Sequence, residues 1–207
     1  LSHDLVGGVV LFTRNYENKD QLRSLIKSIK LLKSPNLLVS TDQEGGRVQR
    51  FINGFYPIPA MRSLGILYDQ SNEDGMQATS IAAEILGLEL LEVGVDFSFV
   101  PVLDIDHGVS EVIGSRSFHS NPQVVNCLGE HFYKGMQKSG MNCVAKHFPG
   151  HGGVSGDSHQ KTPIDNRTMK TIIDDLLPYK TLIKKGLSGV MTAHVRYPLV
   201  DNQIATF

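Results

Sequence analysis

Val6-Gly7-Gly8-Val9-Val10-Leu11-Phe12-Thr13-Arg14-Asn15-Tyr16 joins a continuous apolar run to a polar turn. The run is short and rich in valine, the pattern of a strand buried on both faces. The turn after it separates two folds. A dinucleotide-binding sheet carries G-x-G-x-x-G after its first strand, whereas Thr13-Arg14-Asn15-Tyr16 has no glycine. The stretch therefore predicts the first strand of a parallel barrel.

Working outward, strand and helix patterns alternate. Asn18 can cap a helix, with Gln21 three positions on, and Leu22, Leu25, Ile26, Ile29 and Leu32 form one apolar stripe. Leu37 to Asp42 reads as a second buried strand ending at an acid. A helix from about Glu73 to Val93 shows Ile81, Ile85, Leu88 and Leu91 as its apolar positions, stopped by Gly94. Asp96 to Asp104 is a third strand. Asn121 and Pro122 open a helix with Val125, Leu128, Phe132 and Met136 on one face, ending at Gly140. Asn142 to His147 is a fourth strand. Arg167 to Lys185 is helical with a break at Pro178, and Ser188 to His194 is a fifth strand. Buried strands alternating with amphipathic helices predict a parallel sheet with helical crossovers. The expected architecture is a TIM (β/α)8 barrel, incomplete at about five βα units, because a whole barrel takes roughly 200 to 250 residues and only five strands are legible.

Polar residues fall at the carboxyl ends of these strands: Asp42, Asp104, Lys146 with His147, and His194. Barrels place their sites there. The densest cluster, Lys146-His147-Phe148-Pro149-Gly150-His151-Gly152-Gly153-Val154-Ser155-Gly156-Asp157-Ser158-His159, puts titratable groups on backbone that glycine and proline keep out of regular structure. Zinc binding would recruit His147, His151, Asp157 and His159. Pro149 and Gly150 forbid the helix that gives the His147 to His151 spacing its meaning, so no metal is expected. A phosphate cradle on Gly150, Gly152 and Gly153 lacks the Gly-Lys-Ser/Thr that should come next.

Composition removes other classes. The 207 residues are 41% hydrophobic and 20% charged, an ordinary globular balance. With 20 Lys+Arg against 21 Asp+Glu there is no basic excess to hold nucleic acid or an anionic membrane. No apolar run approaches the roughly 20 residues of a membrane span. Cys127 and Cys143 are expected to fill core space as thiols, which fits a reduced compartment.

Four segments occur together and in order: Asp42-Gln43-Glu44-Gly45-Gly46-Arg47-Val48-Gln49-Arg50, Ile113-Gly114-Ser115-Arg116-Ser117-Phe118, Lys146 to Gly152 with Asp157-Ser158-His159, and Met191-Thr192-Ala193-His194. Over nearly the whole chain this sequence resembles the family 3 glycoside hydrolases of the NagZ type, β-N-acetylglucosaminidases of cell-wall recycling. The resemblance implies that Asp42 accepts hydrogen bonds from the hydroxyls of a GlcNAc in the −1 subsite, that Arg50 and Arg116 contact the sugar, and that Lys146 and His147 line the same subsite. It implies an acid/base dyad of His159 oriented by Asp157, an imidazole where glycosidases generally use a carboxyl group. It also implies a cytoplasmic enzyme acting on a small carbohydrate such as a GlcNAc-anhydroMurNAc peptide, without a cofactor.

The family's nucleophile is an aspartate at the end of a later strand, in a Ser-Asp-Asp-Leu-like context. No such segment occurs after His194, and Asp201 is expected in a polar turn beside Asn202 rather than at a strand end. The chain is thus expected to be one barrel domain truncated at both ends, lacking the nucleophile and inactive alone. The alternative is a barrel remnant that holds sugar without cleaving it.

Overall fold

The computed structural model describes residues 1–156 and 162–204. The elements in chain order are β1 (Gly8–Leu11), α1 (Lys19–Lys30), β2 (Leu38–Thr41), β3 (Gln43–Gly45), β4 (Val48–Gln49), α2 (Met61–Gln70), α3 (Asn72–Val93), β5 (Phe97–Ser98), α4 (Pro122–Ser139), β6 (Asn142–Phe148), α5 (Met169–Ile172), α6 (Leu177–Lys184), β7 (Gly189–Thr192), β8 (Arg196–Tyr197) and β9 (Asp201–Ile204).

The order of the main sheet, β1-β2-β5-β6-β7 with every neighbouring pair parallel, is the order of the strands along the chain. Each crossover moves one place in the same direction. A doubly wound sheet would reverse at a switch point; a singly wound one is the wall of a (β/α)8 barrel. Among the described residues five strands of that wall are present, as the sequence predicts.

The helices form where capping chemistry and an apolar face agree. In α1 the Asn18 side chain accepts from the Gln21 N–H, and Leu22, Ile26 and Ile29 are buried. Leu32 lies beyond the helix end and is exposed, so it is not part of the stripe. In α4 Asn121 caps, Pro122 occupies the first turn, and Val125, Leu128, Phe132 and Met136 are fully buried as expected.

Elsewhere the structure departs from the expectations. In α3 the residues Ile81, Leu88 and Leu91 are exposed, and the buried face is Thr79, Ala82, Ala83, Leu86, Gly87 and Leu90. Small residues win that face because α4 approaches closely: a Cβ on Gly135 of α4 would lie 2.2 Å from the Ser80 carbonyl oxygen. The Asp96 to Asp104 strand shrinks to a Phe97–Ser98 ladder with an isolated bridge from Val102 to Lys146, since Pro101 between them has no N–H to donate. The Arg167 to Lys185 helix divides into α5 and α6, and Pro178 sits in the first turn of α6 rather than kinking a helix. Val10 in β1 is exposed, so that strand is not buried on both faces; β1 is an edge of the sheet. Asp201 begins β9, antiparallel to β8, instead of lying in a turn. Helix α2 and the β8–β9 hairpin are additions to the elements read from sequence. Both cysteines are free thiols, Cys143 buried, where desolvation pushes its pKa up to about 12, and Cys127 half-buried. Among the described residues no helix is long and apolar enough to cross a membrane.

Candidate active site

At the carboxyl ends of the parallel strands a cleft of about 550 Å³ opens, lined among others by Asp42, Glu44, Arg50, Arg116, Lys146, His147, His151 and His194. Its floor is built by three chain segments. After β2 the chain passes Asp42 into the β3–β4 hairpin, whose turn needs Gly45 and Gly46 at φ 106° and 54°, values that side chains rarely adopt. This turn returns the chain so that Glu44 and Arg50 face the same space as Asp42.

Lys146, at the end of β6, is 2% exposed. An ammonium so buried needs partners, and it has two: Asp42 Oδ1 at 2.7 Å and Glu44 Oε1 at 2.6 Å. Glu44 is itself 2% exposed and accepts a two-pronged contact from Arg116, Nε and Nη2 each at 2.8 Å. Arg50 reaches Asp42 Oδ2 at 3.4 Å. The result is an alternating chain of charges: Arg50, Asp42, Lys146, Glu44, Arg116. Burial alone would raise the Asp42 and Glu44 carboxyls. The cations beside them outweigh burial and hold both below the usual carboxylate range: Lys146 and then Arg50 for Asp42, Arg116 and Lys146 for Glu44. Both are therefore anions at neutral pH, and Asp42, the less buried of the two, presents carboxylate to the cleft.

His147 comes directly after Lys146 and hydrogen-bonds through Nδ1 to Asp104 Oδ2 at 2.6 Å. Asp104 is fully buried, and its Oδ1 accepts the main-chain N–H of His151 at 2.6 Å. The segments after β5 and β6 lie side by side here: Leu103 N–H donates to the Lys146 carbonyl at 2.7 Å, and a Cβ on Gly152 would stand 1.7 Å from the Ile105 carbonyl oxygen. Only glycine fits. His151 is buried, and desolvation lowers its pKa, leaving it neutral near pH 7. The glycine-rich loop rests on a second buried cluster in which Arg167 bonds Asp165 and Asp175, with Tyr197 Oη donating to the Gly150 carbonyl at 2.8 Å.

The five expected substrate-binding residues Asp42, Arg50, Arg116, Lys146 and His147 thus converge on one cleft. Asp157 and His159 lie outside the described residues. Sequence reasoning gave no role to Glu44, although it lies within the Asp42 to Arg50 segment. Its acid two residues after Asp42, in a hairpin closed by Gly-Gly, was the available signal. His147 and His151 approach to 6.0 Å between ring centroids, yet among the described residues no group of three or more metal-ligating side chains forms.

Residues 1–207 match the glycosyl hydrolase family 3 N-terminal domain. A β-hexosaminidase of Thioalkalivibrio sulfidiphilus is 50% identical over 207 residues, which is 100% of this chain and 60% of that protein. NagZ of Neisseria gonorrhoeae, solved in complex with N-trifluoroacetyl-D-glucosamine, is 46% identical with a TM-score of 0.93, over 96% of this chain and 59% of that one. The same protein solved in complex with zinc ion is 45% identical with a TM-score of 0.92, over 96% of this chain and 59% of that one. The chain spans about three-fifths of the length of these relatives. With the family's domain matched from end to end and a singly wound parallel sheet to carry it, this chain belongs to the N-terminal domain family of the family 3 glycosyl hydrolases.

Proposed function

We propose that the protein is a retaining exo-β-N-acetylglucosaminidase whose −1 subsite is the cleft at Asp42, Lys146 and His147. The observation that carries the reading is the ionised, partly exposed Asp42 carboxylate held between Lys146 and Arg50, an acceptor aimed where sugar hydroxyls would donate. That NagZ of Neisseria gonorrhoeae was solved with an N-acylated glucosamine derivative supports an N-acylglucosamine as the sugar. Arg50 and Arg116 offer several fixed donors at the rim and wall of the same space.

In this proposal His159, oriented by Asp157, protonates the leaving oxygen while an aspartate in chain beyond Phe207 attacks the anomeric carbon. The imidazole then takes a proton from the water that hydrolyses the glycosyl-enzyme. Asp157 stabilises the imidazolium, as a carboxylate does in serine hydrolases. The 207 residues would form part of one barrel domain completed by the remaining chain. Removal of terminal GlcNAc from muropeptides during peptidoglycan recycling, in the cytoplasm, belongs to the same proposal, as does catalysis without a metal or organic cofactor.

The test is hydrolysis of aryl β-GlcNAc by the full-length protein, before and after prolonged chelation. Turnover that survives chelation supports the proposal, and metal-dependent loss would revive a zinc site. Sugar binding without any turnover would instead identify a carbohydrate-binding barrel.

A further inference from the structure

We propose that Asp104 is a positioning residue for sugar binding: its buried carboxylate keeps a proton on His147 Nδ1, so that Nε2 is the nitrogen offered to a sugar hydroxyl. The inference rests on the cleft being the sugar subsite and adds to it the residue that fixes how one of its walls presents hydrogen bonds.

The geometry leaves the carboxylate few alternatives. Asp104 has no solvent exposure, and no lysine or arginine is paired with it among the described residues; its contacts are N–H groups. Oδ1 accepts the His151 main-chain N–H at 2.6 Å and lies 3.4 Å from that of His147, while Oδ2 meets His147 Nδ1 at 2.6 Å. Oδ2 and Nδ1 stand 2.6 Å apart, a distance at which two facing lone pairs would repel, and burial leaves Oδ2 no water to donate in their place, so the Nδ1 position carries hydrogen and the tautomer is set by that bond. Although burial alone would raise the Asp104 carboxyl, the His147 imidazole and the His151 N–H hold it below the usual range, which keeps it an acceptor. A neutral ring bound this way has its lone pair on Nε2, an acceptor for a hydroxyl donor. The same carboxylate ties the main chain at His151, and hence the start of the glycine-rich loop, to the orientation of that ring.

The experiment uses the full-length protein labelled with ¹⁵N-histidine. Long-range proton–nitrogen correlation reads which ring nitrogen bears the proton, with His147 assigned by its loss in His147→Gln. Wild type is expected to show His147 protonated on Nδ1. In Asp104→Asn the new amide can keep the His151 contact through its oxygen and donate to Nδ1 through its nitrogen, which moves the proton to Nε2. Expected with that switch is a fall in kcat/KM for aryl β-GlcNAc of about 3- to 10-fold, the worth of one neutral hydrogen bond. A wild-type ring protonated only on Nε2 overturns the proposal even if Asp104→Asn does not fold. So does an Asn variant with switched tautomer and unchanged kcat/KM. The tautomer is read without turnover, so a protein that hydrolyses nothing would refute the enzymatic function and leave this measurement standing.

Discussion

Replacing Glu44 by glutamine keeps the shape of the side chain and removes its charge at the centre of the ion network. In the wild type Glu44 is 2% exposed, receives Arg116 at 2.8 Å through two nitrogens and Lys146 at 2.6 Å. After the change Asp42 is the one carboxylate still paired with Lys146 among the described residues, and of the two Glu44 atoms that received Arg116 one becomes an NH₂ that cannot accept. Breaking a buried pair by removing one partner costs about 3–5 kcal/mol, with the remaining Asp42 contact placing this case toward the lower end. In a folded unit of about this length each kcal/mol moves the unfolding midpoint roughly 2–4 °C, so a fall of about 6–12 °C is expected. The assay is thermal unfolding monitored by circular dichroism. Exposed Glu92, paired with Lys19 and Arg23 at the surface, is the comparison, and Glu92→Gln should leave the midpoint unchanged. A Glu44→Gln midpoint equal to that of Glu92→Gln would refute the view that the buried charges are mutually dependent.

In the full-length enzyme His159→Ala should slow poor leaving groups far more than activated aryl ones, because only the former need protonation; equal losses would reject the acid role. Stability should decline as the solution is acidified. Asp42, Glu44 and Asp104 have folded pKa values held below their unfolded ones of about 4, so their contribution is complete above that pH and is lost as pH falls through the folded values. Neutral, buried His151 adds an earlier loss below about pH 6.5; a midpoint flat from about pH 7 to 4 would contradict the histidine part, and one that stays flat on further acidification below about pH 4 would contradict the carboxylate part. Gly152→Val should destabilise the fold and depress kcat/KM together, since no Cβ fits against the Ile105 carbonyl; a variant with wild-type midpoint and rate would show that the loop can move aside without cost.

The parts legible in the sequence are those where one local signal suffices. Helix α4 carries its cap, its proline, its large apolar face and its terminal glycine within 20 residues, and each is found in place. The strand order was legible through the missing glycine-rich turn after Phe12, a local fact with a global consequence. Helix α3 was found but its face was misread, because Ala83 and Gly87 are buried for their smallness, and smallness matters only once α4 is known to lie against them. In the cleft, Asp42, Lys146 and His147 stand at strand ends and could be marked as candidates. Asp104 stands at a strand end too, and Glu44 lies within the Asp42 to Arg50 segment, but their partners Lys146 and His151 are 102 and 47 positions distant in sequence, so what these two acids do is disclosed only by the fold. The β8–β9 hairpin was invisible for a similar reason: it pairs over a few residues and carries no regular alternation.

The most direct measurement on the proposed sugar subsite is a crystal structure of the full-length protein with N-acetylglucosamine bound. The ring is expected in the strand-end cleft, with hydroxyls hydrogen-bonded to the Asp42 carboxylate and to His147 Nε2. A sugar seated elsewhere, or in the cleft without a contact to Asp42, would contradict the proposed subsite.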